Sequence, residues 1–522
     1  HTLGLPEAPQ PEGLAASTPN LVDLTKQLHA ALQGDATGSL WNSNELKKLR
    51  TRLLPYRNTS QKFPTHGTGK VDCDLQSSHV QPICERISLV NTKAADVSCG
   101  TELTFKTFEN SSGALAALRR RFQAACYDEH NVSQRLGKAP QAIEPTDLPY
   151  LDNFYLGRDS LDDLIRLFLL RGALGEDRAR SLLGSESFDF LHEAAAISIT
   201  AGLCRAKIDL FPVEDLVIAT DHRYQVLQGD AMSEEPVMYV GRDSIGLVKT
   251  APRDDSESHL DLCTGSGVQA LVAARYANRV VGVDLNPRAL RFARFNAALN
   301  GINNVTFYHG DLYQPVRGQR FQSITANPPF VPSPTDTLAF RDGGSDGETV
   351  LSRIVGDAHQ HLEKGGRISI VTDLVDPDIY ADKLAGWWRG PGMCAQILTT
   401  ANRDEKLFSV PHAHAPFGQS FEDYRDELSS WIRSYRTAGL KAVNFGYILM
   451  KKSLQLDHSD FLQRVIESPL QPIHEFVSEL LDFQELRRSG SLAGLQVHTT
   501  PGLKIRLPTL DPSETMERGS RR

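Results

Sequence analysis

The sequence predicts an α/β protein whose C-terminal half contains a Rossmann-like sheet of parallel strands. From residue 259 onward, short β-branched segments alternate with helical segments, which is the order that builds such a sheet. A glycine turn, CTGSG at 263–267, follows the first strand, and acidic residues follow the next two. The segment ITANPPFVP at 324–332 then ends a further strand, because proline cannot donate to a sheet ladder.

The composition is ordinary for a soluble globular protein of about two to four domains. The chain has 522 residues, of which 40% are hydrophobic and 23% charged, and its net charge is −8. This excludes binding of nucleic acid along the whole surface, although a local basic patch is compatible with it. No stretch of about 18 apolar residues occurs, so no membrane partner is predicted. The seven cysteines include no Cys-x-x-Cys pair, so no metal site is predicted either.

Shifts in composition divide the chain into five segments: 1–20, 21–145, 146–235, 236–452 and 453–522. The first is expected to be a loose tail. The second is expected to be a mostly helical region of unknown fold, with a capped helix at 43–54. The third is expected to be a small helical, winged-helix-like domain that positions substrate. The fourth holds the α/β sheet, and the last a helical stretch at 459–486 followed by a disordered tail.

Elements within the third and fourth segments follow from periodicity and turn residues. An amphipathic helix is predicted at 159–174, a short helix at 175–184, and two strands around a proline turn within 203–224. Strands of the sheet are predicted within 258–267, 279–286, 305–313, 321–330, 367–375 and 441–452. Helices are predicted at 268–277, 287–301, 350–366 and 421–439, and a loop rich in histidine and proline at 410–417.

The glycine turn favours a nucleotide-like ligand without a pyrophosphate. Gly265 and Gly267 let the backbone approach a ligand closely at the start of a helix. In the dinucleotide pattern G-x-G-x-x-G, however, the first glycine would stand where this chain has Cys263. NAD is therefore a poorer match, and we interpret Cys263 as a packing residue rather than a nucleophile.

The acidic residues after the next two strands predict contacts to a nucleoside. Asp284 ends a strand 23 residues after Asp261, where a carboxylate hydrogen-bonds ribose hydroxyls. Asp311 ends the following strand, where it could bond an adenine amino group. An acidic residue at such a position is often only a helix N-cap. The series of three turns, together with NPPF, favours the ligand-binding interpretation.

At this point the chain resembles the class I S-adenosylmethionine-dependent methyltransferases, in the group with an (Asp/Asn)-Pro-Pro-(Tyr/Phe) motif that methylates planar nitrogens. The resemblance covers residues 236–452 and implies a seven-stranded methyltransferase sheet. DLCTGSG resembles the glutamine methyltransferases that act on release factors and a ribosomal protein, whereas NPPF also occurs in methyltransferases of RNA and DNA bases. YVGRDS (239–244) resembles the segment that leads into the cofactor pocket. FRDGGSDGE (340–348) and AVNFGYILMKK are similar to bacterial small-domain methyltransferases.

The resemblance implies S-adenosyl-L-methionine as cofactor and assigns roles to residues of this chain. The expected cofactor-binding residues are Asp261, Cys263, Thr264, Gly265, Gly267, Asp284, Leu285, Asn286, Asp311, Leu312 and Asn327. The expected catalytic residues are Asn327, Pro328 and Phe330, and the expected substrate contacts are Pro329, Phe330 and Arg341. The carbonyls of Asn327 and Pro328 would accept the two N–H groups of a planar nitrogen, while Phe330 stacks on it.

The acceptor is left open between several classes. We expect a macromolecule, with a protein glutamine side chain ahead of an RNA or DNA base. A small molecule, or an inactive scaffold that binds the cofactor, is a further alternative.

Glycines at 343, 344 and 347 suggest a mobile lid next to Arg341. His412 and His414 are interpreted as loop residues rather than metal ligands, because no carboxylate or cysteine stands at ligand spacing.

The predicted cellular compartment follows from the cofactor that the reaction needs, although some sequence signals favour a different compartment. Methyl transfer needs the intracellular cofactor, so we expect a cytoplasmic enzyme. A processed chain that passes through an organelle or the secretory pathway is the alternative, because the sequence begins with His1 rather than methionine. Four glycosylation sequons, at Asn58, Asn110, Asn131 and Asn304, favour that alternative. So do the cysteines of the first quarter, Cys73, Cys84, Cys99 and Cys126.

Overall fold

The computed structural model describes residues 112–223, 235–335, 338–415, 418–453, 455–466 and 471–489. The tail predicted at the N-terminus, the helix predicted at 43–54 and the tail predicted after residue 489 lie outside these ranges, as do three of the four early cysteines. No helix among the described residues combines the length and apolar character needed to cross a membrane.

A mixed sheet of eight strands carries the C-terminal half. Its strands are β6 (Ser256–Leu262), β7 (Ala277–Asp284), β8 (Val305–His309), β9 (Phe321–Ala326), β10 (Leu362–Val375), β11 (Met393–Thr399), β12 (Val443–Lys452) and β13 (Asp460–Val465). Their order is β13-β11-β12-β10-β9-β6-β7-β8. The strands β6 to β10 run parallel to one another, and β12 is antiparallel to both of its neighbours. The predicted α/β class is therefore confirmed.

The sheet has one strand more than the seven predicted. The segment 459–486 was expected to be helical, but its first part is β13, which pairs in parallel with β11 at the edge of the sheet. Only the later part is helical, as α13 (His474–Arg488). Strand β13 is half exposed and lacks the apolar run of a central strand, so pairing with β11 decides its conformation.

Helices connect the strands and cover both faces of the sheet. They are α6 (Arg242–Thr250), α7 (Val268–Ala273), α8 (Pro287–Asn300), α9 (Thr349–His361) and α10 (Tyr380–Trp387). Helix α8 shows why the sequence prediction of its bounds was correct. The Asn286 side chain caps it by accepting from the Arg288 backbone N–H, Pro287 occupies its first turn, and Gly301 ends it at a φ of 71°.

The N-terminal described part contains five helices of eight or more residues, several shorter helical turns and five strands. The helices are α1 (Ser112–Ala124), α2 (Glu129–Leu136), α3 (Ser160–Phe168), α4 (Glu176–Leu183) and α5 (Ser185–Glu193). The strands are β1 (Ala173–Gly175), β2 (Ile197–Thr200), β3 (Leu203–Ala206), β4 (Ile208–Val213) and β5 (Leu216–Asp221). Strands β1, β3 and β2 form a small sheet in that order, and β4 and β5 form a separate hairpin.

The hairpin corrects the predicted proline turn. Pro212 lies within β4, opposite Val217, and the turn is at 214–215. Val217 turns its backbone N–H and C=O away from β4 and toward the Asn300 side chain, at 2.9 and 2.8 Å. The pair of Pro212 and Val217 is thus a position of the hairpin where no N–H of Pro212 is needed, which is why proline is tolerated there.

Helix α8 completes the outer edge of the hairpin with two side chains. The amide of Asn300 binds the backbone of Val217, and the amide of Asn296 binds the backbone N–H and C=O of Ala219 at 2.7 and 2.9 Å. Asn296 also donates to the backbone carbonyl of Ser266 in the glycine turn, at 2.9 Å. One asparagine therefore links the hairpin to the turn that follows β6.

A helical insertion between β11 and β12 replaces the loop predicted at 410–417. It consists of α11 (Glu405–Ala413) and α12 (Phe421–Thr437). Asp404 starts α11 by accepting from two backbone N–H groups, so the helix forms even though Pro411 lies in its last turn. Phe408 of α11 and Trp431 of α12 are buried against Val331, which directly follows the NPPF motif. The insertion therefore packs beside the predicted site.

Candidate active site

A cavity of about 450 Å³ opens at the carboxyl ends of β6, β7, β8 and β9. Each of the three turns singled out in the sequence contributes to its wall. The lining segments are 263–266, 284–287 and 310–312, together with 235–239 from the chain that leads into α6. Asn327 and Pro329 of the NPPF motif complete the wall. The predicted turns are therefore brought to one place by the parallel order of the strands.

The turn after β6 is held in a conformation that favours glycine. Gly267, the residue before α7, has a φ of 87°, and a Cβ there would lie 3.2 Å from the Cβ of Ala293. Cys263 has a φ of 53°, although it is not a glycine. Burial raises the pKa of its thiol well above the usual value, and Asp284 and Asp261 raise it further. Cys263 thus lines the cavity as a neutral thiol rather than a thiolate.

Asp261 lies beneath this turn instead of lining the cavity. Its carboxylate accepts from the Thr264 hydroxyl at 2.6 Å, from the Ala270 backbone N–H at 3.1 Å and from the Thr325 hydroxyl at 2.8 Å. Burial raises the pKa of this carboxyl to about 7, against the lowering effect of these hydrogen bonds. Asp261 therefore shapes the turn from below, and we place it among positioning residues rather than ligand contacts.

Asp284 holds the same turn from the cavity side. One carboxylate oxygen accepts from the Gly265 N–H at 2.7 Å and the other from the Asn286 N–H at 2.8 Å. Each oxygen keeps a further lone pair, so the carboxylate could also accept from hydroxyl groups of a ligand. Burial raises the pKa of Asp284, and the backbone hydrogen bonds oppose that rise. Leu285 beside it is 67% exposed at the cavity wall.

The third turn presents a charged pair at the rim. Asp311 accepts from the guanidinium of Arg353 at 2.5 Å, and both side chains are about half exposed. The next residue, Leu312, has a φ of 48° and also lines the cavity. Arg353 comes from α9 and also lines the cavity, but sequence reasoning missed it. It lies 42 residues from Asp311, and no motif marks the two as neighbours.

Asn327 is oriented by the first turn of α6. Its Nδ2 donates to the carboxylate of Asp243 at 2.9 Å and to the hydroxyl of Ser244 at 3.3 Å. A carboxylate only accepts hydrogen bonds, so the nitrogen end of the amide must face Asp243 and Oδ1 must face away. Asp243 was not predicted as a site residue. The resemblance of YVGRDS to the segment leading into the pocket was the signal that could have found it.

A second cavity of about 330 Å³ adjoins the first. Four residues line both cavities: Met238, Tyr239, Asn327 and Phe340. The second cavity adds Phe330 and Arg341, whose role as substrate contacts stays a prediction. It also adds Pro411, His412 and His414 from the helical insertion. Asn327 therefore lies where two chambers meet, which is where a group held in one could react with a group held in the other.

The wall formed by the insertion is built around Trp431. The ring of His412 stacks on Trp431 with centroids 4.9 Å apart, and the Arg341 guanidinium lies 5.4 Å from a Trp431 ring. His412 Nδ1 lies 2.7 Å from the Phe408 carbonyl, so Nδ1 carries the proton and Nε2 is an acceptor. Burial lowers the pKa of His412 to about 4, which keeps the ring neutral. Sequence reasoning missed His412 as a lining residue.

The glycines after the NPPF motif allow two chain segments to approach closely. Val331 donates to the Arg341 carbonyl at 2.9 Å, and Gly343 donates back to the Val331 carbonyl at 3.0 Å. A Cβ on Gly343 would lie 2.9 Å from the carbonyl oxygen of Pro329. This contact explains the glycine and fixes Arg341 beside Phe330. A mobile lid in this segment stays a prediction.

Most of the predicted site residues line one of the two cavities, and three do not. Asp261, Gly267 and Pro328 line neither. Gly267 and Asp261 act on the shape of the turn, and Pro328 lies between two lining residues, so its possible contact is through its backbone carbonyl. Among the described residues, no three histidine, cysteine, aspartate or glutamate side chains are grouped as metal ligands.

Comparison with known proteins shows similarity to methyltransferases. Residues 242–377 match the family described as "Methyltransferase small domain". A Methanocaldococcus jannaschii protein, provisionally named a protein N5-glutamine methyltransferase, is 34% identical over 154 residues, which are 28% of this chain and 77% of that protein.

Two further relatives match over shorter parts. The release factor glutamine methyltransferase of Thermodesulfovibrio yellowstonii is 36% identical over 122 residues, 21% of this chain and 44% of that protein. The ribosomal protein uL3 glutamine methyltransferase of Bradyrhizobium diazoefficiens is 40% identical over 124 residues, 21% of this chain and 39% of that protein. The chain thus spans less than half the length of these two relatives.

Proposed function

Because this chain belongs to the S-adenosylmethionine-dependent methyltransferases, we propose that it transfers a methyl group to the side-chain nitrogen of a glutamine in a protein substrate. The observation that carries this proposal is the orientation of Asn327 at the junction of the two cavities. Asp243 engages the nitrogen end of the Asn327 amide at 2.9 Å, which leaves Oδ1 as a hydrogen-bond acceptor on the opposite side. An acceptor of this kind suits a substrate that brings N–H donors.

The larger cavity fits S-adenosylmethionine in its donor and acceptor set, and this fit supports the cofactor assignment. When bound, S-adenosylmethionine supplies an electrophilic methyl group. Asp284 would accept from ribose hydroxyls, and Leu285 offers an exposed apolar surface at the same wall. Asp311 and the backbone of Leu312 would bind the adenine edge. The turn at 263–266 would face the amino-acid part, with its backbone N–H groups at the start of α7.

The smaller cavity would hold the acceptor amide. An amide nitrogen is a poor nucleophile because its lone pair is delocalised into the carbonyl group. The Asn327 side-chain carbonyl and the Pro328 backbone carbonyl would accept its two N–H groups, fix its position and favour positive charge growth on nitrogen. Phe330 would stack on the planar amide, and Arg341 could donate to the amide oxygen.

A protein acceptor is favoured over a nucleic acid. The relatives named above act on a release factor and on ribosomal protein uL3 according to their names. The net charge of −8 does not favour contacts to many phosphates. Methylation of an RNA or DNA base is the second candidate, because an exocyclic base amine offers the same two N–H groups.

The four described cysteines and two described sequons are compatible with an intracellular enzyme. Cys126, Cys204, Cys263 and Cys394 are free thiols. The side-chain amide of Asn304 donates to two backbone carbonyls at 2.9 Å, and that of Asn131 donates to Asp128 at 2.7 Å. Both sequon side chains are thus engaged within the fold. Intact-mass measurement of native protein should find neither glycans nor disulfides, and finding either would contradict an intracellular location.

The test of the proposed function uses tritiated S-adenosylmethionine and an extract of the cells that make the protein. We expect protein-bound label that protease releases and nuclease does not, and complete enzymatic hydrolysis should yield labelled N5-methylglutamine. The Asn327→Ala variant should bind cofactor but transfer no label. Label in nucleosides would replace the glutamine assignment with a base acceptor, and label that resists both digestions would indicate a small molecule.

A further inference from the structure

A line of polar side chains crosses the core of the sheet beneath the glycine turn. His259 and Asp261 lie on β6, and Ser323 and Thr325 lie directly opposite them on β9. His259 and Asp261 are each 1% exposed, and Thr325 is 3% exposed. Central strands of a parallel sheet normally carry apolar side chains at such positions. A buried polar group is costly unless it is hydrogen-bonded, so this line requires an explanation.

Every member of the line is hydrogen-bonded to the next. His259 Nδ1 lies 2.7 Å from the Ser323 hydroxyl, and His259 Nε2 lies 2.9 Å from the Thr325 hydroxyl. The Thr325 hydroxyl also lies 2.8 Å from Oδ1 of Asp261. The line therefore runs without a break from Ser323 to the carboxylate that holds the glycine turn.

The chemistry of the groups fixes the direction of these bonds. Thr325 donates its single hydroxyl proton to Oδ1 of Asp261. Thr325 must then accept from His259, which places the ring proton on Nε2 and leaves Nδ1 to accept from Ser323. Burial lowers the pKa of His259 to about 3, in agreement with a neutral ring. All donors of the line thus point toward Asp261.

The far end of the line reaches the amino ends of β6 and β9. Ser323, His259 and Thr325 line a separate cavity of about 200 Å³ at the amino ends of the strands. The near end meets Thr264 and the Ala270 N–H through Asp261, at the turn that lines the cofactor cavity. One oxygen of the Asp261 carboxylate thus bonds to the turn and the first turn of α7, and the other oxygen bonds to Thr325.

We propose that His259 is a positioning residue for the cofactor, which acts through Thr325 and Asp261 to hold the turn at 263–267 in its binding conformation. The inference rests on the proposed use of S-adenosylmethionine. It concerns the hydrogen that His259 Nε2 donates, not the apolar packing of the ring, and this distinction can be tested by substitution.

The test compares variants that keep or remove this donor. His259→Gln retains an N–H donor at the distance of ring Nε2, whereas His259→Leu removes it and Thr325→Val removes the hydroxyl. We expect S-adenosylhomocysteine, measured by calorimetry, to bind His259→Gln within about threefold of wild type, and the other two about tenfold or more weakly. Nitrogen NMR of the wild-type protein should show a neutral ring protonated at Nε2.

A control separates positioning from general loss of stability. Ile370→Ala removes a fully buried side chain from β10, outside the polar line, and should lower the melting temperature without weakening binding. Equal affinity of wild type and His259→Leu would overturn the proposal while the proposed function stands. So would affinity losses that follow melting temperature across all variants, Ile370→Ala included. If the wild-type protein does not bind S-adenosylhomocysteine, the proposed function is overturned and the positioning role with it.

Discussion

The carboxylate of Asp243 accepts a hydrogen bond from Asn327 Nδ2 at 2.9 Å, across 84 residues of sequence. The acceptor oxygen of the NPPF motif is thus aimed by a residue of another element. We predict that Asp243→Ala lowers turnover by about 10²-fold or more, in the range found for loss of one preorganised group. Calorimetry should find S-adenosylhomocysteine binding nearly unchanged.

The control for this variant is Arg242→Ala. Arg242 is the neighbour of Asp243, is exposed and pairs with Glu144 at 3.3 Å on the surface. Exposed pairs contribute little, so this variant should keep normal turnover. Wild-type turnover in a folded Asp243→Ala protein would contradict the orienting role.

Asp284 is predicted to carry much of the cofactor affinity. Its carboxylate lines the larger cavity and also accepts from Gly265 and Asn286. Asp284→Ala should weaken S-adenosylhomocysteine binding by roughly 10- to 100-fold, because hydrogen bonds to a charged group contribute about 1.5–3 kcal/mol. Asp357→Ala, at a half-exposed carboxylate on α9, is the matched control and should bind normally. Normal affinity in Asp284→Ala would count against this site for the nucleoside.

His259 is predicted to make stability depend on pH in the acid range. The pKa of this ring falls from 6.5 to about 3 on folding because it is buried. Between these values the unfolded chain binds a proton here and the folded chain does not. The free energy of unfolding is therefore reduced as pH falls through this window, by up to about 1.4 kcal/mol per pH unit from this group.

The measurement is denaturant unfolding of wild type and His259→Gln between pH 6.5 and 5, above the range where the folded ring becomes protonated. Wild type should lose stability more steeply than the variant as pH falls. Asp261, with a pKa raised to about 7, shifts stability in the opposite direction but does so in both proteins. Parallel pH profiles would show that His259 is not buried as a neutral ring.

Gly282 on β7 is predicted to be required for packing beneath the glycine turn. A Cβ there would lie 2.6 Å from the ring of Phe307 and 3.0 Å from the Thr264 hydroxyl. Gly282→Ala should lower the free energy of unfolding by about 1–3 kcal/mol, as overpacking of a core does. Gly386→Ala in α10 meets nothing within 4 Å and should be neutral or slightly stabilising. Similar melting temperatures for both variants would contradict the prediction.

The sequence predicted the parts of the fold that are set locally. Strand β7 has a β-branched run that predicted its existence, although its observed bounds, Ala277–Asp284, begin and end two residues earlier than predicted. Helix α8 has a proline in its first turn and a glycine after its end, and its bounds followed from these signals. Strand β13 has no such run, because its conformation depends on the edge of β11. Helix α11 was missed because Pro411 normally ends a helix, whereas here it lies in the last turn of a helix already started by Asp404.

The candidate site likewise combines residues that the local sequence predicts with residues that only tertiary contacts bring there. Cys263 directly follows β6, Asp284 is the last residue of β7, and Asp311 lies two residues after β8. Sequence order alone therefore brings them to one edge of the parallel sheet. Arg353 and His412 reach the cavities from a helix and from an insertion, and only tertiary packing brings them there. Asp261 was predicted to contact the ligand, but the strand turns its side chain under the turn. A period-2 argument would have placed it on the face of His259.

The side-chain amides of Asn296 and Asn300 hydrogen-bond to backbone N–H and C=O groups at the edge of β5, as a neighbouring strand would. The N-terminal part that carries the β4–β5 hairpin therefore cannot be exchanged independently of the eight-stranded sheet and its helix α8. Recombination that joined an unrelated module to this sheet would need a strand with the same spacing of backbone N–H and C=O groups. Without one, Asn296, which is fully buried, would keep its bond to Ser266 but lose both bonds to Ala219, at a cost of about 1–3 kcal/mol for each unsatisfied group. Descendants of this chain should therefore inherit the hairpin and the helix together.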